Sequence, residues 1–334
     1  MKEVVFWGCR GSLPVALCAA DVARKISDAL VLANGRHFHN REAAEDFVRL
    51  LPFNTGSTFG GNSSCVEVVT DGPEHVICDM GTGARPLGQA KIERYGQPRP
   101  QVYHVFISHL HWDHLMGFPF FAPMYIAGNH IIVHGCHERM EEAIRLQIRA
   151  PCFPVDYSDL DVTMEFDCML PGKTVNIAGL EVTPKLQPHI GDSYGYRFEG
   201  GGKCVVYSTD AEYPMDSGDL RREFTDFFSQ ADLVIFDAMY SLAEVTSKRQ
   251  NWGHSCNIIG AEICIAAAVR RMALFHHEPS HDDTQLYRLL EETRRFVNLA
   301  VQREQERSSD TLPSACAPET LQVISAHDGL VVKL

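Results

Sequence analysis

Short apolar runs recur along the chain, each closed by glycine, proline or a polar turn, and between them lie longer stretches with helical spacing. Residues 4–7, 66–70, 75–78, 102–107, 131–134, 175–177, 180–183, 232–236 and 272–275 read as strands. Residues 194–198 and 203–207 read as a hairpin around Glu199-Gly200-Gly201-Gly202. Residues 16–34 carry Leu17, Ala20, Val22, Ala23, Ile26, Ala29 and Leu30 largely on one face, which predicts a helix stopped by Gly35. A second helix is predicted from Asn40, a good N-cap, to Pro52, with Ala43, Ala44, Phe47, Val48 and Leu51 as its apolar side. Further helices are expected over 138–149, over 252–271 opening at Trp252-Gly253-His254-Ser255, and over 280–307 with Ser280 and Asp283 as a capping box. Residues 117–125 are apolar and broken by proline, and suit core or a pocket wall. A loop over 308–318 and a last hairpin over 321–334 around His327-Asp328-Gly329 complete the expectation.

Composition narrows the class. With 334 residues, 45% of them hydrophobic, the chain can bury a large core, and residues 1–334 are read as one domain. A net charge of −13 argues against a broad basic face for duplex nucleic acid but is compatible with a small anionic substrate beside bound cations. The 11 cysteines include no C-x-x-C pair, and many fall in strand-like runs, so they are expected to be reduced, buried thiols of a cytoplasmic protein. The start lacks the apolar region of a signal peptide and no run of 18 apolar residues occurs, so neither secretion nor a membrane span is expected.

The chemistry concentrates in Ser108-His109-Leu110-His111-Trp112-Asp113-His114, directly after the 102–107 run. Four potential ligands within six residues cannot all point one way on a strand or helix, whereas a tight loop can splay them toward two adjacent ions. Imidazole and carboxylate without thiolate suit zinc, manganese or iron in a site with open positions. A His-rich surface loop or a single structural ion is the plainer alternative, and this spacing seldom arises by chance. The motif resembles the signature of the metallo-β-lactamase-fold hydrolases. Together with GCRGSLP at 8–14, FGGNSSCVEV at 59–68 and CDMGTGARPLG at 78–88, the chain resembles the subgroup containing cyclic nucleotide and phosphoribosyl cyclic-phosphate phosphodiesterases, with ribonuclease Z a more distant relative. One departure is the roughly forty residues separating the GCRGS turn from the GGN turn. They form a helical insertion, 16–52, which is an external hairpin, a lid or a dimer contact.

The resemblance implies an α+β fold, a four-layer αββα sandwich, with strand-end loops meeting at one edge. It implies a first ion on His109, His111 and His189, a second on Asp113, His114 and His276, and Asp210 bridging them. His254 corresponds to the histidine placed near the scissile phosphate and Asp113 is catalytic as well as a ligand; Asp79 orients the metal loop. Asn62, Ser63, Ser64 and His277 are candidate substrate contacts, although the first three also suit an ordinary turn. The reaction implied is attack of a hydroxide bridging two divalent ions on a small phosphodiester, such as a 3′,5′-cyclic nucleotide. A ribonuclease Z-like nuclease would need a basic arm that the sequence lacks. A β-lactamase or thioester hydrolase fits the GGN and His254 motifs less well. A non-catalytic metal-binding sensor is opposed by the full ligand set. The partners expected are the small substrate and a second copy of the chain in a homodimer.

Overall fold

The computed structural model describes all residues except 96–99, 214–217, 248–250 and 310–319. In chain order the strands of the first half are β1 (Glu3–Gly8), β2 (Cys65–Val69), β3 (His75–Cys78), β4 (Val102–Phe106), β5 (His130–Gly135), β6 (Thr163–Cys168) and β7 (Val175–Ile177). Those of the second half are β8 (Leu180–Gln187), β9 (Ser193–Gly200), β10 (Lys203–Ser208), β11 (Leu233–Asp237), β12 (Arg271–Phe275), β13 (Gln322–Ser325) and β14 (Val331–Lys333). They form two sheets, ordered β14-β1-β2-β3-β4-β5-β6 and β13-β12-β11-β10-β9-β8-β7. Each sheet is antiparallel on one side and parallel on the other, the parallel parts being β3 to β6 and β10 to β13.

Strand alternation builds the layers. Along β11, Leu233 and Ile235 face the other sheet and join Phe6, Val66, Phe106, Tyr196, Tyr207 and Phe275 in a central core. Val234 and Phe236 face outward onto helices. Burial on both faces is why such strands read as continuous apolar runs. The helices are α1 (Ala19–Ala33), α2 (Arg41–Leu50), α3 (Phe53–Gly56), α4 (Ala84–Tyr95), α5 (Trp112–Leu115), α6 (Met140–Gln147), α7 (Gly218–Phe228), α8 (Leu242–Ser247), α9 (Asn257–Ala266) and α10 (Asp283–Ser309). Leu87 of α4 and Ile144 of α6 cover the outer face of the first sheet, while Phe224, Ile259 and Leu290 from α7, α9 and α10 cover the second. The result is the expected αββα sandwich. Among the described residues no helix is long and apolar enough to cross a membrane, and no disulfide forms; Cys9, Cys65, Cys78, Cys204, Cys256 and Cys264 are buried, whereas Cys18, Cys152 and Cys168 are exposed.

Several local expectations are corrected. The terminal hairpin does not exist: β13 pairs with β12 in one sheet and β14 with β1 in the other, so the chain crosses between sheets at Ala326–Leu330. The helix expected to run to residue 271 ends at Ala266, because Ala268 turns left-handed at φ 53° and frees Arg271 to start β12. At α10 the reciprocal cap is formed by Asp282 and Gln285. Asp283 instead accepts the amide of Phe59 and pairs with Lys25. The loop expected over 308–318 lies almost wholly outside the described residues. Other elements were not anticipated: α4 contains Pro86 and Gly88, β6 is a mostly exposed edge strand, α3 and α8 are only 4 and 6 residues long, and α7 was also missed.

The insertion folds as predicted but packs differently. Asn40 caps α2 by accepting from the Ala43 amide, and Asn34 ends α1 in the left-handed region. The helices nevertheless bury little: only Ala33 of α1, and nothing of α2, is buried. The insertion is held through polar contacts, Lys25 Nζ at 2.7 Å from both Asp283 and the Ser57 carbonyl and Arg24 at 3.2 Å from Asp282. Val22, Ile26 and Leu30 stay exposed.

Candidate metal centre

The site lies where strand ends of both sheets meet. Residues paired across the ladders, Cys78 with Phe106, Ser208 with Phe236 and Asp237 with Phe275, put the carboxyl ends of β3, β4, β10, β11 and β12 on one rim. The loops leaving these ends carry Asp79, His109 to His114, Asp210 and His276. Three of these residues, Asp79, Asp210 and His276, hold left-handed φ values of 59°, 51° and 59°. Such conformations cost about 1–3 kcal/mol for a residue with a Cβ, and they turn the chain sharply enough to aim the side chain back along the rim. Gly11 is needed for a related reason: a Cβ there would stand 2.5 Å from the His276 ring.

The expected ligands converge. His114 Nε2 lies 3.1 Å from Asp113 Oδ2 and 3.3 Å from Asp210 Oδ1. His276 Nε2 lies 3.2 Å from the same two oxygens. Asp210 Oδ2 faces the other way, 3.7 Å from His109 Nε2. His189 Nε2 is 3.4 Å from His111 Nδ1. Ligand atoms of His109, His111 and His189 lie within 4.8 Å of one another, as do those of Asp113, His114 and His276; the two oxygens of Asp210 face one group each. His254 also comes within this distance of Asp210 and His276.

Hydrogen bonds at the far side of the rings decide which nitrogens face inward. His114 donates Nδ1–H to Asp79 Oδ2 at 2.7 Å, and His189 donates Nδ1–H to the Gly253 carbonyl at 2.8 Å. The lone pairs of His114 Nε2 and His189 Nε2 therefore point into the cluster, toward carboxylate oxygens or another ring nitrogen. His109 Nε2 and His114 Nε2 are buried without a hydrogen-bond partner. Lone pairs facing one another at these distances repel unless a proton or cation lies between them, so the donor set fits divalent metal ions. Imidazole and carboxylate donors without sulfur are compatible with zinc, manganese or iron.

Behind the ligands, Asp79 is fully buried and accepts from Ser108 N at 2.8 Å and from Ser108 Oγ and Tyr207 Oη at 2.7 Å, in addition to His114. It ties the metal loop to both sheets, as the orienting role requires.

A family model described as a Beta-lactamase superfamily domain matches residues 75–277, which is more than half of the chain and includes all seven proposed ligands. The chain belongs to the beta-lactamase superfamily. Solved structures of low sequence identity share its fold over most of its length. The metallo-beta-lactamase fold protein YhfI from Bacillus subtilis is 15% identical, with 99% of this chain and 98% of that chain covered and a TM-score of 0.61. A diphosphatase from the PhnP family is 17% identical, covering 100% and 98%, with a TM-score of 0.56. Unliganded yeast PDE1 is 14% identical, covering 81% and 95%, with a TM-score of 0.58. No curated protein matches the chain significantly.

Within this superfamily frame His254 is placed by a carboxylate and not by a helix end. It lies two residues before the N-cap of α9, Cys256, and donates Nδ1–H to Asp237 Oδ2 at 2.9 Å. Burial opposes its charge, but the Asp237 carboxylate and then Asp210 outweigh burial and lift its pKa to about 9. Asp237 is the residue that sequence reasoning missed. It also accepts from the amides of Ala211 and Met239, at 3.2 and 3.1 Å, and so couples the Asp210 loop to His254. An aspartate closing an apolar strand on the ligand-bearing rim was the available signal. Ser12 was missed as well: its amide donates to Asp113 Oδ2 at 2.8 Å, which gives the GCRGS turn its place in the site.

The expected substrate contacts are corrected. Asn62 spends its side chain on Asp328 and Thr82, and the Gly61 and Asn62 amides both donate to Asp328 Oδ2, so the GGN turn is a staple to the carboxyl-terminal crossover. Ser64 is fully buried. His277 is buried, donates Nε2–H to the Ala326 carbonyl at 2.8 Å, and is kept neutral because burial and then the Arg10 charge push its pKa down to about 3. It locks the site's last loop to β13 and does not face the rim.

Proposed function

We propose that this superfamily member is a dinuclear metal-dependent phosphodiesterase acting on a small phosphodiester, with 3′,5′-cyclic nucleotides the preferred class. The observation carrying this reading is Asp210, whose two oxygens face two histidine groups while His254 Nδ1 stands 3.8 Å from Oδ2. His109, His111 and His189 would hold one ion and Asp113, His114 and His276 the other, with Asp210 shared. When bound, such cations supply Lewis acidity toward a phosphoryl oxygen and lower the pKa of water.

The chain's own contribution is positional. Asp79 and the Gly253 carbonyl hold the Nδ1 protons of His114 and His189, so that Nε2 is the nitrogen each ring offers to an ion. In the hydrolysis, water adds to phosphorus and the bond from phosphorus to the leaving oxygen breaks. His254, held charged by Asp237, is the group suited to give that oxygen its proton. A net charge of −13 supports a small substrate over duplex nucleic acid. A soluble cytoplasmic homodimer belongs to the same proposal.

The test compares 3′,5′-cyclic AMP, bis(p-nitrophenyl) phosphate and a precursor tRNA with the chelated protein and after adding zinc or manganese. Metal-restored turnover of the two small diesters, absent in Asp210→Ala with its metal content reduced, is the expected result. Turnover of the tRNA alone, or full metal occupancy in folded Asp210→Ala, overturns the proposal.

A further inference from the structure

The ligand cluster opens to solvent at His111, the one exposed histidine of the HxHxDH motif. Four exposed large apolar side chains are each next in sequence to a group of the site. Trp112, 77% exposed, lies between His111 and Asp113. Ile190, 72% exposed, follows His189. Trp252, 55% exposed, precedes Gly253, whose carbonyl accepts from His189. Leu13, 58% exposed, follows Ser12, whose amide donates to Asp113.

Singly exposed hydrophobic residues are ordinary, but four from four separate loops flanking one polar site are not explained by chance scatter. The loops are also fixed. Trp112 opens α5, so its backbone is set by the ligands on either side. Glu212 accepts from Asn251 N at 2.7 Å and Gly253 N at 2.8 Å, while its own amide donates to the Pro188 carbonyl at 2.8 Å. One residue thus ties the loop of Trp252 to the loop of Ile190. Among the described residues, none in 110–114, 188–192, 251–255 or 11–14 is a lysine or arginine. A pre-positioned apolar rim around a metal centre suits a substrate with a charged reacting end and a flat, neutral remainder.

We infer that Trp112, on the loop between two ligands, is the specificity platform of this site, with the tethered loops of Ile190 and Trp252 adding to it. It selects phosphodiesters carrying a planar aromatic group, such as a nucleobase, over those built on aliphatic alcohols alone. This inference rests on the phosphodiester reading above. Stacking a base on an exposed indole changes binding by about ten-fold or more.

The test measures binding of adenosine 5′-monophosphate and of ribose 5-phosphate to the full-length, zinc-loaded protein by calorimetry and indole fluorescence. The expected result is about ten-fold tighter binding of the adenosine compound, with indole quenching. Trp112→Ala should bring its Kd to that of ribose 5-phosphate with metal content retained, and Trp112→Phe should restore part of the difference. Equal Kd values in the wild type, failure of both ligands to bind at millimolar concentration, or discrimination surviving in Trp112→Ala would each overturn the platform. Failure of the two readings is distinguishable. Base discrimination without hydrolysis of any diester removes the proposed reaction and leaves the platform. Hydrolysis with the same KM for base-bearing and aliphatic diesters does the reverse.

Discussion

Replacing Asp79 by asparagine tests how the metal loop is held. Asparagine keeps the side-chain shape and tolerates the left-handed backbone at φ 59°, so the substitution isolates charge and acceptor capacity. Three donors, Ser108 Oγ, His114 Nδ1 and Tyr207 Oη, converge on Oδ2, and Ser108 N reaches Oδ1. An amide group cannot accept on both sides. If its nitrogen replaces Oδ1 it confronts the Ser108 amide; if it replaces Oδ2 it confronts His114, while the Ser108 and Tyr207 hydroxyls can turn to accept from it. One buried donor is then unsatisfied, costing about 1–3 kcal/mol, and the remaining bonds each lose about 1 kcal/mol of charge assistance. A neutral amide is easier to bury than a carboxylate, which offsets part of this, so the net loss of stability is about 2–4 kcal/mol. In the second orientation His114 must move its proton to Nε2, the ligand atom, and metal affinity falls about 10–100-fold. Urea unfolding in chelator measures the first effect, and zinc titration calorimetry the second. An Asp79→Asn protein with wild-type stability and wild-type zinc affinity would refute the orienting role.

His254→Ala should lower kcat about 10²–10⁴-fold with both metals retained, and the loss should shrink for a p-nitrophenolate leaving group; equal losses on good and poor leaving groups would assign His254 to positioning. Asp237→Asn should shift the alkaline limb of the pH–rate profile to lower pH, since Asp237 is the main cause raising the His254 pKa to about 9; an unmoved limb would break that link. Glu67 is buried against Lys91, with the Trp7 indole nitrogen at 3.3 Å; burial pushes its pKa up, but hydrogen bonding with His75 and the Lys91 charge hold it below the ordinary 4.5. Its stabilisation is therefore present above about pH 4.5 and lost as pH falls through the lower folded value, and Glu67→Gln, which strands the Lys91 charge, should cost about 3–5 kcal/mol at neutral pH and flatten that acid dependence in urea titrations. Replacing residues 16–50 with a short Gly/Ser linker should leave metal content intact and change oligomeric mass or substrate range, read by light scattering and by KM on small and bulky diesters.

The cluster of candidate ligands was legible from sequence because metal chemistry constrains residue type and spacing together. HxHxDH after an apolar strand carries that signal locally; Asp210 and His276 likewise follow largely apolar strands, and His189 follows the amphipathic strand β8. The layered architecture was legible for a related reason, since strands buried on both faces must be apolar throughout. What the chain could not reveal locally was pairing between distant segments. The run near the carboxyl terminus looked like a hairpin because β13 and β14 each have strand composition and a turn between them, yet each finds a better-matched edge in a different sheet. Asn62, Ser64 and His277 looked like substrate contacts because polar side chains near a rim carry no mark of which neighbour consumes them; Asp328, burial and the Ala326 carbonyl decide that. Asp237 was overlooked for the converse reason, because an aspartate at a strand end gains its meaning from His254, 17 residues away in sequence and 2.9 Å away in space. The insertion shows both sides of this division. Its helices and caps follow from local spacing and from Asn34 and Asn40, whereas the side α1 presents to the body is decided by the ion pairs of Arg24 and Lys25 with the start of α10. Local periodicity records which residues can share a face; only the assembled fold supplies the surface against which that face is, or is not, buried.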